Sequence, residues 1–86
     1  MQTEEVKALI EAGIPGSEAT VHGDGSHFDA VVVSPEFEGK SPVVKQKMVY
    51  ATVTDNITSG ELHALTIKAY TPAEWEKAKS LQVTGA

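Results

Sequence analysis

The chain has 86 residues, which is enough for one small domain with a single modest core. It contains no cysteine, so its own residues supply neither a disulfide nor a thiolate metal ligand. It also contains no arginine, and its formal net charge of −5 opposes binding to nucleic acid, where affinity comes largely from phosphate neutralisation. No apolar run approaches the ~20 residues of a membrane span, and the acidic N-terminus lacks the apolar core of a signal peptide. The sequence therefore predicts a cytoplasmic protein with no membrane segment.

The N-terminal half predicts a helix followed by a β-hairpin. Thr3 is the expected helix cap, and apolar residues recur at helical spacing until Gly13. Residues 18–22 and 28–33 are strand candidates, and the glycine-rich loop between them favours an antiparallel hairpin. The three consecutive valines at 31–33 indicate a strand that is buried on both faces.

The C-terminal half predicts a helix, a strand and a second helix. Ser41-Pro42 opens the longest helix, because serine caps well and proline fits the first helical position, and the helix is expected to reach about Ile57. A strand is predicted over 62–69, and a final helix from 72 to about 81. Residues 82–86 are expected to be a frayed tail.

The junction between the last strand and the last helix carries the strongest local signal. In Thr71-Pro72-Ala73-Glu74, threonine can cap, proline fits the first helical position, and the glutamate can accept the N–H of the cap residue. If the strand alternates from its start, His63 shares a face with Leu65 and Ile67, at the rim of a core. The opposite face then carries Leu62, Ala64 and Thr66.

The element order is helix, strand, strand, helix, strand, helix. This order predicts an α/β (α+β) fold in which a three-stranded sheet carries helices on one face. The long helix between the second and third strands allows those two to lie parallel, so the sheet is expected to be mixed. We expect residues 1–86 to form one compact domain.

The sequence gives no support for catalysis. Gly39-Lys40-Ser41 resembles the end of a phosphate-binding P-loop, but the glycine required five positions earlier is Ser34, which favours a plain loop-to-helix junction. No nucleophile, histidine and carboxylate set can be assembled, and the acidic residues are scattered as on a solvated surface. We therefore predict that the protein is not an enzyme.

Two groups of residues remain as candidate binding sites. Lys40, Lys45 and Lys47 form a local basic cluster, which is either a contact for an acidic partner or nucleic acid, or a solvated helix face. His22 and His27 flank the glycine-rich loop, where histidine and carboxylate can bind a metal, although each histidine is also explained as a solvated or half-buried strand residue.

Three separated motifs, in the right order, resemble the BolA family. They are Gly23-Asp24-Gly25-Ser26-His27-Phe28, a second block between Val33 and Gln46, and a third block between His63 and Trp75. The resemblance is to short bacterial members and covers roughly residues 4–80. It implies a compact αββαβα domain related to the type II KH topology.

The resemblance also implies a function. BolA-family proteins partner monothiol glutaredoxins, hold a shared [2Fe–2S] cluster with the glutaredoxin and glutathione, and act in iron–sulfur trafficking or iron and stress homeostasis. The family's histidine just before the last strand matches His63. The second ligand comes from the first hairpin loop, near Asp24 or Ser26, where His27 is the nearest imidazole and His22 a weaker substitute. The isolated chain is then expected to hold no cluster, and to be a monomer or a weak homodimer.

The resemblance leaves one alternative function. Some BolA proteins are transcriptional regulators, and a KH-like fold suggests nucleic acid. In this chain a weak contact through Lys40, Lys45 and Lys47 is the corresponding expectation, although the absence of arginine and the negative net charge oppose it.

Overall fold

A computed structural model describes residues 2–23, 27–60, 62 and 64–84, with side chains described up to residue 80. The predicted order of helices and strands is confirmed, and one short helix, α3, is added to it. The elements are α1 (Thr3–Gly13), β1 (Glu18–Gly23), β2 (His27–Val33), a 3₁₀ turn (Pro35–Phe37), α2 (Pro42–Thr52), α3 (Thr54–Thr58), β3 (Ala64–Tyr70) and α4 (Pro72–Thr84).

The three strands form one mixed sheet in the order β1-β2-β3. β1 and β2 are antiparallel, with Glu18 opposite Val33, and β2 and β3 are parallel, with His27 opposite Ala64. Both pairings agree with the sequence prediction, since a short loop joins the antiparallel pair and a helical crossover joins the parallel pair.

The core lies on one face of this sheet, where α1 and α2 cover it. In β2 the alternate residues Phe28, Ala30 and Val32 are buried, whereas Val31 and Val33 are only half-buried. The prediction of burial on both faces of the valine run is therefore wrong, because α1 and α2 bury a single face. The buried apolar residues are Val6, Ile10, Ile14, Ala19, Phe28, Ala30, Val32, Phe37, Val49, Val53, Leu62, Leu65 and Ile67.

The helix predicted to reach Ile57 is broken at Val53, whose backbone angles are φ −126° and ψ 15°. The hydroxyl of Thr52 donates to the Val49 carbonyl at 2.7 Å, and that of Thr54 to the Tyr50 carbonyl at 3.0 Å. Such hydroxyl bonds compete with the regular helical pattern. The break places Val53 fully inside the core, and α3 begins at the next residue, Thr54.

The predicted caps are confirmed at two of the three helix starts. Ser41 Oγ accepts the Val44 N–H at 3.2 Å, which caps α2. At the start of α4, the Thr71 N–H donates to Glu74 Oε1 at 2.8 Å, and the Glu74 N–H donates to Thr71 Oγ1 at 3.1 Å. α4 continues to Thr84, three residues beyond the predicted end.

The first helix has a different cap from the predicted one. Gln2, not Thr3, precedes the first helical residue. The N–H of Gln2 donates to Glu5 Oε1 at 3.0 Å. The Thr3 prediction is wrong by one position because the glutamate three residues after Gln2 closes the capping box there.

The last strand begins at Ala64, two residues later than predicted. Ala64 and Thr66 are exposed and Leu65 is buried, as alternation requires. Leu62 precedes the strand, and it is 1 % exposed in the core, with its N–H donating to the Asn56 carbonyl at 3.1 Å. Assigning Leu62 to the open face is therefore wrong, because strand alternation does not extend to it.

Candidate metal centre

The parallel pairing of β2 and β3 brings two parts of the predicted site to one end of the sheet. His27, the first residue of β2, lies beside Ala64, the first residue of β3. Ala64 directly follows His63 in the sequence. The end of β1 lies at the same end of the sheet, since Gly23 is opposite Phe28. The end of β1 and the beginnings of β2 and β3 therefore lie together at this end of the sheet.

His27 lies on the open face of the sheet and is exposed. Its neighbour Phe28 points into the core and is 2 % exposed, which fixes the direction of the strand at this position. Ala64, beside His27, is also exposed and has a small side chain. This end of the sheet therefore leaves the His27 imidazole accessible from outside.

Gly23 allows the two strands of the hairpin to approach closely beside the loop. A Cβ atom at this position would lie 2.5 Å from Phe28 Cδ1 and 2.6 Å from the His27 carbonyl oxygen. These distances are shorter than any side chain tolerates, so only glycine fits. In the sequence this residue belongs to a glycine-rich loop, and its steric role becomes visible only once the two strands are paired.

Of the other predicted ligand positions, the structure describes only His22. His63, Asp24 and Ser26 lie outside the described residues. His22 is exposed in β1 and lies opposite Asp29 of β2, as expected for a solvated strand residue. Within the part of the chain that the structure describes, no three His, Cys, Asp or Glu side chains are grouped closely enough to hold a metal ion. The imidazole of His27 is a donor of the kind that suits iron.

The structure separates the three lysines of the basic cluster. Lys40 and Lys47 are exposed. The side chain of Lys45 is only 9 % exposed, and its Nζ lies 2.7 Å from Glu74 Oε1. Lys45 precedes the buried Val49 by one helical turn, a spacing that predicts a core-facing position but was not used in assigning Lys45 to the basic cluster.

Glu74 is the centre of a small polar network that joins α2 to α4. Its carboxylate accepts hydrogen bonds from Lys45 Nζ and from the Thr71 N–H. These donors, Lys45 first, hold the pKa of the Glu74 carboxyl below its ordinary value. Lys45 is therefore committed to a contact within the protein, whereas Lys40 and Lys47 are accessible to a partner.

Two glycine-containing motifs have structural explanations. Ser34, at the position where a P-loop needs glycine, is fully buried, and its hydroxyl donates to the Pro15 carbonyl at 2.9 Å and accepts the Glu36 N–H at 3.1 Å. The Gly-x-x-Gly sequence of Gly13–Gly16 connects α1 to β1. Its second residue, Ile14, belongs to the core.

Comparison with known proteins decides the family. The family model for BolA-like proteins matches residues 11–74. The chain belongs to the BolA family. The acid stress protein IbaG of Escherichia coli K12 is 40 % identical to it over 81 residues, which cover 94 % of this chain and 96 % of IbaG.

Solved structures support the same assignment. A BolA homologue from Coxiella burnetii is 39 % identical to this BolA protein, with a TM-score of 0.81 over 88 % of this chain and 97 % of the homologue. Yeast Fra2 is 33 % identical, with a TM-score of 0.66 over 95 % and 91 % of the two chains. The predicted family and the predicted α+β fold are thus confirmed. None of the helices in the described part of the chain has the length and apolar character needed to cross a bilayer.

Proposed function

We propose that this BolA protein is a non-enzymatic, cytoplasmic partner of a monothiol glutaredoxin, with which it shares a bridging [2Fe–2S] cluster. In this proposal His63 is the principal ligand from this chain, and His27 is the second. The observation that carries the proposal is the parallel register, which places His27 beside Ala64, the residue next to His63.

The composition of the chain supports a shared site. Iron–sulfur clusters are usually held by thiolates, and imidazole replaces thiolate at one iron in Rieske centres. This chain has three histidines and no cysteine. The thiolates must therefore come from the glutaredoxin and from glutathione, while this protein contributes imidazole.

The described residues on either side of His63 are held in place, one by the core and one by the sheet. Leu62, on one side of His63, is buried and hydrogen-bonded, and Ala64, on the other, is held in the sheet. A histidine ligand must be neutral and oriented, and fixed flanking residues restrict the positions that it can reach. The name of the E. coli relative, acid stress protein, supports the stress-related part of this proposal.

Reconstitution of the cluster tests the proposal directly. The protein is mixed with a monothiol glutaredoxin, glutathione, iron and sulfide, and the visible circular dichroism of the cluster is recorded. We expect His63→Ala to abolish the spectrum of the mixed complex, leaving that of the glutaredoxin alone. We expect His27→Ala to shift the bands and to speed cluster loss, because a weaker ligand must replace the imidazole.

His22→Ala is the matched control, since His22 is also an exposed strand histidine near the same loop. It should leave the spectrum unchanged. An unaltered spectrum for His63→Ala would refute the cluster assignment, and an effect of His22→Ala in place of His27→Ala would exchange the two loop candidates. Far-ultraviolet circular dichroism of each variant checks that the fold is kept.

A further inference from the structure

A groove of about 540 Å³ lies along β3, between the beginning of α2 and the beginning of α4. It is lined by Pro42 and Gln46 of α2, by Lys68 and its neighbours in β3, and by Lys77 of α4. The proposed cluster ligands are at the opposite end of β3. From Ala64 to Ala69 the strand rises by about 17 Å at ~3.3 Å per residue, so the groove is a separate surface.

The groove runs along the free edge of the sheet. The strand order makes β3 an edge strand with one unpaired side. The N–H of Ser34, which follows β2, donates to the Tyr70 carbonyl at 3.0 Å, so the backbone of Tyr70 faces β2. Backbone groups alternate in direction along a strand, so Leu65, Ile67 and Ala69 direct theirs away from β2.

A second hydrogen bond supports this orientation. The Tyr50 hydroxyl of α2 donates to the Leu65 carbonyl at 2.9 Å, so the partner of this carbonyl is a helix side chain and not β2. Tyr50 therefore closes the free edge at Leu65. Beyond this point Ile67 and Ala69 line the groove, and alternation directs their main-chain groups to the side of β3 that β2 does not occupy.

The charge of the groove is opposite to that of the whole protein. Three of the seven lysines line it, Lys45, Lys68 and Lys77, and Glu74 is the one acidic residue among its described lining. The formal charge of this lining is +2, in a chain whose net charge is −5. Both α2 and α4 also begin at the groove, and the N-terminus of a helix favours negative charge.

We propose that this groove binds an acidic, extended segment of a partner protein, which adds to β3 as a short strand at Ile67 and Ala69. The main chain of the segment pairs with the free edge, and its carboxylates contact Lys68 and Lys77. This interaction surface goes beyond the shared cluster and does not depend on it. The competing explanation is that Lys68 is present only to protect an edge strand from unwanted pairing, as lysine often does.

Binding of synthetic peptides distinguishes these explanations. The ligand is a fluorescent peptide in which glutamate alternates with valine and threonine, and the matched control peptide carries lysine in place of glutamate. Binding is followed by fluorescence anisotropy and by amide spectra of the labelled protein. We expect saturable binding of the acidic peptide only, with slower hydrogen exchange of the Ile67 and Ala69 amides.

The direction of the main chain gives a sharper test. Only alternate residues of an added strand direct their N–H groups toward β3. We therefore expect N-methylation of one alternate set of peptide residues to abolish binding, and N-methylation of the other set to leave it nearly unchanged. The proposal is overturned if N-methylation of either set of peptide residues weakens binding equally. It is also overturned if the hydrogen-exchange rates of the Ile67 and Ala69 amides stay the same when the acidic peptide binds.

Charge reversals identify the lysines that bind the peptide. Lys77→Glu, on an exposed position of α4, should weaken binding on the order of tenfold, and Lys68→Glu should act in the same direction. Lys40→Glu changes the net charge equally but lies outside the groove lining, so it should have little effect. If Lys40→Glu and Lys77→Glu weaken peptide binding equally, the contact is a non-specific anion contact and strand addition is refuted. The same conclusion follows if a DNA oligonucleotide binds as tightly as the acidic peptide and causes the same changes in the amide spectra.

Discussion

The contact between Lys45 and Glu74 shows how one buried lysine is tolerated in a small core. Removing an ammonium group from water is costly unless a partner of opposite charge compensates. Here the Lys45 side chain is 9 % exposed, whereas that of Glu74 is 49 % exposed, so solvent still reaches one member of the pair. The same carboxylate completes the capping box of α4 through the Thr71 N–H. One side chain therefore fixes both the start of α4 and its position against α2.

The pH dependence of stability should report this carboxylate. The folded-state pKa of Glu74 lies below its ordinary value of 4.5, so its ionised form stabilises the folded protein above that pH, and the contribution is lost as pH falls through the folded-state pKa. We expect Glu74→Gln to lower the urea midpoint near neutral pH, and the difference from wild type to shrink toward zero in acid. Unfolding curves between neutral pH and about pH 3 measure this.

Glu76→Gln is the control for this experiment. Glu76 lies on the same helix, and its carboxylate is mostly exposed and 3.0 Å from Lys79. Exposed pairs of this kind contribute little. The difference between Glu76→Gln and wild type should therefore be small at every pH. If Glu74→Gln lowers the urea midpoint by the same amount at every pH, the destabilisation is steric and not electrostatic.

At the scale of elements, α1 and α2 approach each other where α1 ends. A Cβ atom at Gly13 would lie 2.5 Å from Thr52 Cγ2, so the contact requires a residue with no side chain. Thr52 also ends α2, and its hydroxyl donates to the Val49 carbonyl. The helix break at Val53 and the close contact with α1 therefore meet at Thr52. Helical periodicity describes each helix by itself, so it predicted neither of them.

A pair of substitutions tests this contact. Gly13→Ala should lower the free energy of unfolding by about 1–3 kcal/mol, because overpacking outweighs the better helix propensity of alanine. Thr52→Ser removes the clashing methyl group and keeps the hydroxyl. We therefore expect the double variant to recover most of the loss, as measured by urea unfolding. Additive losses in the double variant would contradict the steric explanation.

At the scale of the whole molecule, the positive and negative side chains are unevenly distributed. The net charge is −5, one lysine of the predicted basic cluster is paired inside the protein, and the groove along β3 is positive. Affinity for nucleic acid depends on the number of phosphates neutralised. The two exposed lysines that remain in the cluster, Lys40 and Lys47, offer few such contacts.

A salt titration with duplex DNA compares the regulator alternative with the proposed function. We expect a Kd weaker than about 10⁻⁵ M at physiological salt, with little dependence on sequence. Lys40→Glu and Lys47→Glu are the suitable variants for testing a DNA contact. Lys45→Glu is unsuitable because it would place a second carboxylate beside Glu74 and break the contact between α2 and α4. Sub-micromolar binding that is lost in Lys47→Glu would favour a nucleic-acid-binding regulator.

The sequence by itself determined the order of the elements, the mixed sheet, the caps at Ser41 and Thr71, and the family. Caps and helix or strand patterns depend on residues that are close together in the sequence, and the family motifs can be read from the sequence directly. It also named His27 and His63 as ligand candidates. The tertiary structure decided which residues meet: His27 beside Ala64, Lys45 beside Glu74, and Leu62 inside the core. Such contacts depend on how distant segments pack, and neither local propensity nor periodicity contains that information.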